Sequence, residues 1–426
     1  GSCIRDNALA QSLMKLGHDV LLVPLYTPPR TDEPSVSQHR IFFGGISVYL
    51  EQYSAIFRST PWVVDRLWEA PWLLSAASKR GVKTQAESLG EMTVSMLKGE
   101  HGYQKKEFDK LVHWLRLQPR PDVIDLSNSM LIALAPALKR AIGCSICCTL
   151  QGENVFLDQL QEPYHTRALK LVRQYVPSVD RFIAVSDYCA GHMSQYLGIP
   201  GAKIDVVPLG VNVDGCEARA RVSSTHFSIG YLGRIAPEKG LHLLCDAYHR
   251  LCLRGELNDC CLELAGYLGP EHKAYFEGIM RQFRDWGLQS EVNYHGELDR
   301  TQKIDFLRAL DVFVAPSTYD DPKGLALVEA MACGVPVVAA RRGTYIELVE
   351  RTGGGVLTLP EDVDAIAVEL LRLGSDASRR EELGRRGAAG VREHYTATAM
   401  AQRALDVYSS LAAVNSTSTV RSAAIS

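Results

Sequence analysis

Residues 312–339 read VFVAPSTYDDPKGLALVEAMACGVPVVA and contain one complete strand, helix and strand pattern. The apolar run Val312–Ala315 comes first, and a polar turn follows it. A helix is predicted to begin near Gly324 and to end at Gly334, since glycine is a usual helix stop. The run Val335–Ala339 then begins the next strand. Both runs are continuously apolar, which indicates strands buried on both faces of a parallel α/β sheet.

The same alternation of short apolar runs and helical patterns extends through the rest of the chain. Further runs are Val20–Pro24, Val123–Leu126, Ile146–Leu150, Arg181–Val185, Phe227–Leu232 and Cys261–Ala265. A chain of 426 residues is too long for one ordinary core, so we expect two Rossmann-like, doubly wound domains. The pattern restarts after the polar stretch Asp214–Thr225. We therefore predict an N-terminal domain over residues 1–213 and a C-terminal domain over residues 214–390.

Composition and charge restrict the classes of function. The chain is 46% apolar and 22% charged, with a formal net charge of -3, which is typical of a soluble globular protein. This charge argues against a nucleic-acid-binding surface. No apolar run reaches the roughly 20 residues needed to cross a bilayer, and no signal-peptide pattern opens the chain. These features predict a cytoplasmic protein.

The 11 cysteines are scattered through apolar segments, unlike a secreted disulfide framework. Cys144, Cys147 and Cys148 suggest a metal clip, but they lie in or beside the apolar run Ile146–Leu150. We favour their interpretation as small packing residues. The 12 histidines show no ligand spacing, so no structural metal is predicted. A reducing compartment is expected.

The beginning of the chain is unusual for a doubly wound domain, which normally opens with a strand. Residues 1–7 run directly into a helix that ends near Leu16-Gly17-His18. Either the chain is shortened at its N-terminus, or Gly1 and Ser2 were left by cloning. We favour a shortened chain, because the helix lacks the strand that would precede it. The first strand of the fold, and part of the site, are then expected to be missing.

A long aromatic-rich segment lies between residues 28 and 118. Its tryptophans Trp62, Trp68 and Trp72 are separated by six and then four residues. Core packing of two helices is the favoured interpretation. Lining of an acceptor groove is the second interpretation, and contact with a membrane surface is the third.

Two cations lie five residues apart in the segment Gly233–Gly240, directly after an apolar run. Arg234 offers a planar fork of donors and Lys239 a point charge, and both suit a diphosphate. Gly233 and Gly240 let the backbone approach a ligand closely. A nucleotide sugar carries such a diphosphate, and its negative charge grows on the leaving group during transfer. The alternative is a solvated basic loop.

Two carboxylates lie eight residues apart across the predicted start of the helix. Asp321 precedes the helix and Glu329 lies one to two turns inside it, so they can contact different parts of one extended ligand. The helix N-terminus is favourable for an anion, and Gly324 permits close approach. We expect Asp321 to bind sugar hydroxyls and Glu329 to bind the ribose diol. Alternatively, a carboxylate at this position is a plain helix cap.

Together these motifs resemble the retaining glycosyltransferases of family 4, which have the GT-B fold of two Rossmann-like domains. The resemblance covers nearly the whole chain. Besides the Asp321 to Glu329 block, the matching segments are Leu16–Val20, Val185-Ser186, Val207–Asn212 and His295–Leu298. It implies an N-terminal acceptor domain, a C-terminal donor domain and a helix over residues 391–411 that crosses back to the first domain. A disordered tail is expected over residues 412–426.

The resemblance implies a role for each motif. Arg234, Lys239 and Asp321 are the implied catalytic residues: the two cations hold the donor diphosphate, and the aspartate contacts the transferred sugar. Glu329 is implied to hold the ribose, and the backbone of His295–Leu298 to meet the base. Besides Glu329, the resemblance implies the following substrate-binding residues: Gly1, Ser2, Gln151, Gly152, Glu153, Gly233, His295, Gly296, Leu298, Lys323, Gly324 and Leu325.

Three residues depart from the family pattern. Asp321 stands where glutamate is usual and is one methylene shorter, which affects the sugar contact. Lys323 replaces a common aromatic residue and adds a cation near the phosphate, which can either compensate for the change at Asp321 or alter donor choice. Gln151 replaces the usual histidine near the reacting centre. Gly1 and Ser2 stand where the family has a glycine pair at the phosphates.

The resemblance implies metal-independent transfer of a sugar, with retained configuration, from a UDP-, GDP- or ADP-sugar to a glycan or lipid-linked hydroxyl. The nucleotide sugar is a substrate, and no cofactor is expected. Polysaccharide or glycolipid assembly fits the family, as does peripheral contact with the inner face of a membrane. Two alternatives stay open. A glycogen- or starch-synthase-like enzyme is favoured by residues 24–26, 48–51 and 149–152, and a non-catalytic binding relative by the departures at Asp321 and Gln151.

Overall fold

The computed structural model describes residues 2–25, 31–38, 42–43, 51–52, 86–216, 226–255, 257 and 259–423. Two parallel sheets lie in this part of the chain, one in each half. Gly1, the tryptophans Trp62, Trp68 and Trp72, and residues 48–50 lie outside the described residues. The predictions made for them therefore stay predictions.

The first sheet has four parallel strands in the order β1-β2-β3-β4. The strands are β1 (Val123–Leu126), β2 (Ser145–Leu150), β3 (Arg181–Ala184) and β4 (Ile204–Val206). The helices of this half are α1 (Ser2–Lys15), α2 (Ala86–Leu97), α3 (Lys105–Arg116), α4 (Ala135–Ile142), α5 (Asn154–Leu157), α6 (Tyr164–Tyr175) and α7 (Asp187–Leu197).

Helices cover both faces of this sheet, which explains why β2 is buried along its whole length. Every residue of β2 is buried. Cys148 packs into the core on one face, and Cys147 packs on the other face with Leu9 of α1. Cys144, beside the strand, is buried as well. The interpretation of these three cysteines as packing residues is confirmed.

The second sheet has six parallel strands in the order β10-β9-β8-β5-β6-β7. The strands are β5 (Phe227–Leu232), β6 (Cys260–Ala265), β7 (Val292–Tyr294), β8 (Val312–Ala315), β9 (Val337–Ala340) and β10 (Gly355–Thr358). The helices are α8 (Leu241–Arg254), α9 (Lys273–Asp285), α10 (Arg300–Ala309), α11 (Leu325–Ala332), α12 (Tyr345–Thr352), α13 (Val363–Ser375) and α14 (Ala377–His394). The chain runs from β5 outward to β7 and returns to the other side of β5 with β8. This reversal is a topological switch point, where the loops at the carboxyl ends of the strands leave a crevice.

The apolar runs predicted as strands beyond residue 120 are strands in the structure, which confirms two doubly wound sheets. The prediction of a strand at Val20–Pro24 was wrong. The carbonyls of Leu22 and Pro24 accept hydrogen bonds at 2.9 and 3.3 Å, but the strand-like pairing of this segment with other described residues is limited to one bridge between Leu25 and Phe42. Pro24 has no N–H group, so it cannot continue a two-sided ladder.

The helix α15 (Ala397–Ala423) returns from the second half of the chain to the first. Met400 and Ala404 pack against Leu9 of α1, as the implied crossing helix requires. The structure continues this helix to Ala423, so the predicted tail is helical as far as that residue; its alanines favour a helix. The domain limits at residues 213 and 390 stay predictions. Among the described residues, no helix combines the length and apolar character needed to cross a membrane.

Candidate functional site

Two loops of the second half form the crevice at the switch point. One follows β5 over residues 233–240, and the other follows β8 over residues 316–324. They touch at Gly240, whose φ is +74° and where a Cβ atom would lie 1.9 Å from the Pro316 carbonyl oxygen. Only glycine fits such a position. The two segments singled out in the sequence are therefore held side by side.

Lys239 and Asp321, which belong to separate motifs, form an ion pair in this crevice. The Lys239 Nζ atom lies 2.7 Å from Asp321 Oδ2 and donates to the Tyr319 hydroxyl at 2.6 Å. Burial alone would lower the pKa of Lys239, but attraction to Asp321 and Tyr319 raises it. Burial alone would raise the pKa of Asp321, but Lys239 and backbone N–H donors lower it. The pair is therefore fully ionised at neutral pH.

The acceptor capacity of the Asp321 carboxylate is fully used. Its Oδ1 atom accepts two backbone N–H groups, at 2.9 and 3.2 Å, from the turn that begins α11. Its Oδ2 atom accepts Lys239 and the hydroxyls of Tyr319 (3.0 Å) and Tyr345 (3.3 Å). A carboxylate offers about four lone-pair sites. The sugar contact stays a prediction, and what this geometry supports is a helix cap that also holds Lys239.

The shortness of Asp321 fits this cap. An aspartate can hydrogen-bond the backbone N–H two residues later, which is the geometry of an Asx turn. Its Oδ1 atom makes that contact with the Lys323 N–H. The usual glutamate has one more methylene and is less suited to so local a bond. The departure from the family pattern therefore has a structural explanation.

Arg234 is less confined than Lys239. Its side chain is 48% exposed and forms an ion pair with Glu238 of the same loop. An exposed pair of this kind contributes only about 0–1 kcal/mol. An anionic ligand can therefore take the place of Glu238 at little cost.

Lys323 reaches from the second half of the molecule to the first. Its Nζ atom donates to Ser2 Oγ at 2.9 Å, at the start of α1. Burial lowers the pKa of Lys323, against the attraction of Glu153, Asp321 and Asp6. Within the described parts of the chain, this ammonium group forms no ion pair.

The strand ends of the first half face the loop after β8. Ser186 Oγ donates to the Pro322 carbonyl at 3.0 Å, and a Cβ atom on Gly152 would lie 2.2 Å from Pro322 Cγ. Glu153 Oε1 accepts the Gln151 N–H at 3.0 Å. The atoms Gln151 Oε1 and Glu153 Oε2 are buried and have no hydrogen-bond partner among the residues that the structure describes. Such atoms are typical of places where a ligand or water binds.

Glu329 borders a cavity whose empty volume, including the part open to solvent, is about 530 Å³. Lys303 of α10 contacts both Glu329 and Asp32, and Arg300 lies 2.8 Å from Glu33. Burial would lower the pKa of Lys303, but the two carboxylates raise it. Sequence reasoning missed Lys303, because a single lysine in an amphipathic helix carries no signal.

The segment His295–Leu298 follows β7 at the same edge of the sheet. Its backbone is tied to the end of β6: the His295 N–H donates to the Leu264 carbonyl at 2.9 Å, and the Gly296 carbonyl accepts the Gly266 N–H at 2.7 Å. The predicted contact of this backbone with the base stays a prediction.

The structure groups the predicted residues into three places. At the contact of the two halves lie Ser2, Gln151, Gly152, Glu153, Lys239, Asp321, Lys323, Gly324 and Leu325. Glu329 borders the cavity, while Gly233, Arg234 and His295–Leu298 lie in the loops after β5 and β7. Sequence reasoning also missed the hydroxyls of Tyr319 and Tyr345. A tyrosine two residues before Asp321 was the available signal for the first, and none marked the second.

Two family models match consecutive parts of the chain. The model Glycosyltransferase Family 4 matches residues 94–214, and Glycosyl transferases group 1 matches residues 218–389. A GDP-mannose-dependent alpha-(1-6)-phosphatidylinositol monomannoside mannosyltransferase from Mycolicibacterium smegmatis is 30% identical over 270 residues, covering 60% of this chain and 67% of that protein. A D-inositol 3-phosphate glycosyltransferase from Segniliparus rotundus is 31% identical over 254 residues, covering 56% and 54%. The chain spans between 52% and 62% of the length of three such curated relatives.

Solved structures share the fold. The Anabaena protein Alr3699/HepE in complex with UDP and glucose has a TM-score of 0.60 at 21% identity, covering 72% of this chain and 82% of that one. Sucrose-phosphate synthase from Thermosynechococcus elongatus has a TM-score of 0.62 at 22% identity, covering 72% and 79%. At these identities the likeness concerns the fold, and it confirms the predicted GT-B architecture.

Proposed function

Because this chain belongs to glycosyltransferase family 4, we propose that it transfers a sugar from a nucleotide sugar to a hydroxyl acceptor. The transfer retains the anomeric configuration and needs no divalent metal. The observation that carries the proposal is the buried Lys239–Asp321 pair at the switch point of the second sheet.

Lys239 supports this chemistry because it is a fixed cation in a place of low solvent access. Its side chain is only 22% exposed, and its partner carboxylate, Asp321, is held in place by the hydroxyls of Tyr319 and Tyr345. Preorganised cations stabilise charge that develops in the transition state, here on the leaving diphosphate. Lys239 supplies the charge that a divalent ion supplies in other transferases.

Glu329 is the proposed ligand of the ribose diol. One of its oxygens contacts Lys303, while the side chain borders the cavity and is 14% exposed. A carboxylate in this state accepts hydrogen bonds from two adjacent hydroxyls. Asp321 then acts as a positioning residue, because it holds Lys239 and the start of α11 in place.

The proposed reaction proceeds on one face of the sugar. The bond from C1 to the phosphate oxygen breaks, the acceptor oxygen bonds to C1 on the same face, and the acceptor proton passes to the departing phosphate. The protein binds and orients both substrates and excludes water where the two halves meet, at Ser186, Gly152 and Pro322.

The names of relatives suggest donors and acceptors to test. The M. smegmatis relative is named for GDP-mannose and a phosphatidylinositol monomannoside, and the Anabaena structure holds UDP and glucose. We therefore propose a UDP- or GDP-sugar as donor, ahead of an ADP-sugar, and a glycan or glycolipid as acceptor. A lipid-linked acceptor would bring the protein to a membrane surface.

The test is a transfer assay in EDTA with UDP-, GDP- and ADP-sugars and with glycan and glycolipid acceptors. Proton NMR of the product then gives the anomeric configuration. The proposal expects one donor to be used in EDTA and its configuration to be retained. An inverted product would contradict retention, and a reaction that EDTA abolishes would contradict metal independence.

A further inference from the structure

Three cations lie in the loops of the site, and they differ in what neutralises them. Arg234 pairs with Glu238, and Lys239 pairs with Asp321. Lys323 instead donates to a hydroxyl, with no carboxylate of a described residue within ion-pair distance. An ammonium group has three donors. Two donors of Lys323 therefore remain for a ligand.

A single carboxylate orients both lysines. Asp321 Oδ2 holds the Nζ atom of Lys239 at 2.7 Å, and Asp321 Oδ1 accepts the backbone N–H of Lys323 at 2.9 Å. The Lys323 side chain then extends from the start of α11 to Ser2 at the start of α1. Two cations are thus placed around one carboxylate, where the two halves of the molecule meet.

The charges around Lys323 do not neutralise it by direct contact. Glu153, Asp321 and Asp6 attract it and Lys239 repels it, while burial is the largest effect and lowers its pKa. A partly buried cation without an ion-pair partner is unfavourable compared with one that an anion joins. The free site is therefore suited to receive an anionic group at this point.

Two buried hydrogen-bond acceptors lie just after β2, on the first half of the molecule. Gln151 Oε1 and Glu153 Oε2 have no hydrogen-bond partner within the described ranges. They suit the hydroxyls of a sugar, whereas Lys323 suits the phosphate to which that sugar is attached. A sugar diphosphate satisfies both kinds of group at once.

We propose that Lys323 is a catalytic residue that binds the leaving diphosphate together with Lys239. The inference rests on the donor reaction proposed above. When the bond between C1 and the phosphate oxygen breaks, the electron pair stays on that oxygen and Lys323 stabilises the charge. The acceptor proton then passes to the same phosphate. The aromatic residue that is common at this position in the family supplies no such charge, so this cation is a property of the chain itself.

The experiment compares a diphosphate with its nucleoside, because only the diphosphate carries the group that Lys323 binds. Binding of UDP, uridine, GDP and guanosine is measured by calorimetry for the wild type, Lys323→Met and Lys323→Arg. For the nucleotide that binds, we expect Lys323→Met to weaken diphosphate affinity by about 10-fold or more and to leave nucleoside affinity unchanged. Its kcat is expected to fall by about 100-fold, in line with the loss of one preorganised donor. Lys323→Arg keeps the charge and should retain most of the affinity.

Two control variants separate this proposal from its alternatives. Arg351→Met removes a cation from another contact between the halves, the 3.1 Å ion pair with Asp187, and should leave diphosphate affinity unchanged. If Lys323→Met weakens diphosphate affinity no more than Arg351→Met does, Lys323 only joins the two halves and the proposal is overturned. Lys239→Met is the benchmark for the site as a whole. If diphosphate affinity falls in Lys239→Met but not in Lys323→Met, the Lys323 proposal alone is overturned. If it falls in neither variant, the proposed donor site is overturned.

Discussion

The two acidic ends of residues 321–329 have opposite surroundings. Asp321 is 7% exposed and gives all its acceptor capacity to groups of its own half of the chain. Glu329 forms an ion pair with Lys303 and borders a cavity that is partly open to solvent. Two carboxylates eight residues apart in one motif therefore do different work. The first holds a cation in place, and we propose that the second binds a ligand.

The largest effect is expected at Lys239, because Asp321 holds this cation in place in the crevice. Lys239→Met removes the buried cation and should lower kcat/KM by about 1,000-fold, the upper range for one preorganised donor. Steady-state donor kinetics measure this. Near-wild-type kcat/KM would show that the Lys239–Asp321 pair does not contribute to catalysis.

Asp321→Asn tests whether the carboxylate acts through Lys239. It leaves a buried ammonium group unpaired, so we expect kcat/KM to fall by about 100-fold and the free energy of unfolding to fall by about 3–5 kcal/mol. In the Lys239→Met background the same change should cost much less, since their shared interaction is already gone. Additive effects in this double-mutant cycle would contradict a positioning role. Asp321→Glu, the residue usual in the family, is the matched control for charge.

Glu329→Gln tests the ligand-binding end. We expect KM for the donor to rise by about 10-fold with little change in kcat, because ribose binding is felt equally in the ground and transition states. The variant should also discriminate less between a ribonucleotide donor and its 2′-deoxy analogue. Unchanged discrimination would contradict the ribose contact.

Rising pH should weaken diphosphate binding through Lys323 before it does so through Lys239. Burial lowers the pKa of Lys323 from the usual 10.5, whereas the pKa of Lys239 is raised. As pH rises, Lys323 therefore loses its proton and its charge first. Titrations of UDP or GDP affinity should show a fall at alkaline pH that moves upward in Lys323→Arg. A fall at the same pH in both proteins would assign it to another group.

The smallest effect is expected at Arg234. Because its ion pair with Glu238 is exposed, we expect Arg234→Met to lower kcat/KM by about 3-fold to 10-fold, far less than Lys239→Met. Glu238→Gln is its control and should slightly improve donor affinity. An Arg234→Met effect as large as that of Lys239→Met would show that the arginine turns into the crevice when donor binds.

The sequence predicted the fold well where strands are buried on both faces. Val312–Ala315 and Phe227–Leu232 are strands with the predicted bounds, because continuous apolar runs leave little alternative. Val20–Pro24 has the same pattern but is not a strand, since Pro24 cannot donate to a ladder. The sequence does not define where α15 ends, because a segment of serine, threonine and alanine is compatible with both a helix and a disordered tail; the structure continues the helix to Ala423.

The sequence singled out many residues of the candidate site, but it did not predict which of them contact each other. Spacing alone singled out Lys239 and Asp321, but it gave no sign that they bond to each other across loops 82 residues apart. Their contact follows from the switch point, which places β5 beside β8. Partners from elsewhere in the chain, such as Tyr345 and Lys303, carry no local pattern. These partners can be identified only from the folded structure, in which the loops lie side by side.

The most direct test of the account is donor hydrolysis in EDTA by the wild type and by Lys239→Met, with UDP-, GDP- and ADP-sugars. The account predicts that the wild type slowly releases one nucleotide without a metal and that the variant loses this activity while it stays folded. Equal hydrolysis by both proteins, or no hydrolysis and no binding of any donor by the wild type, would contradict it.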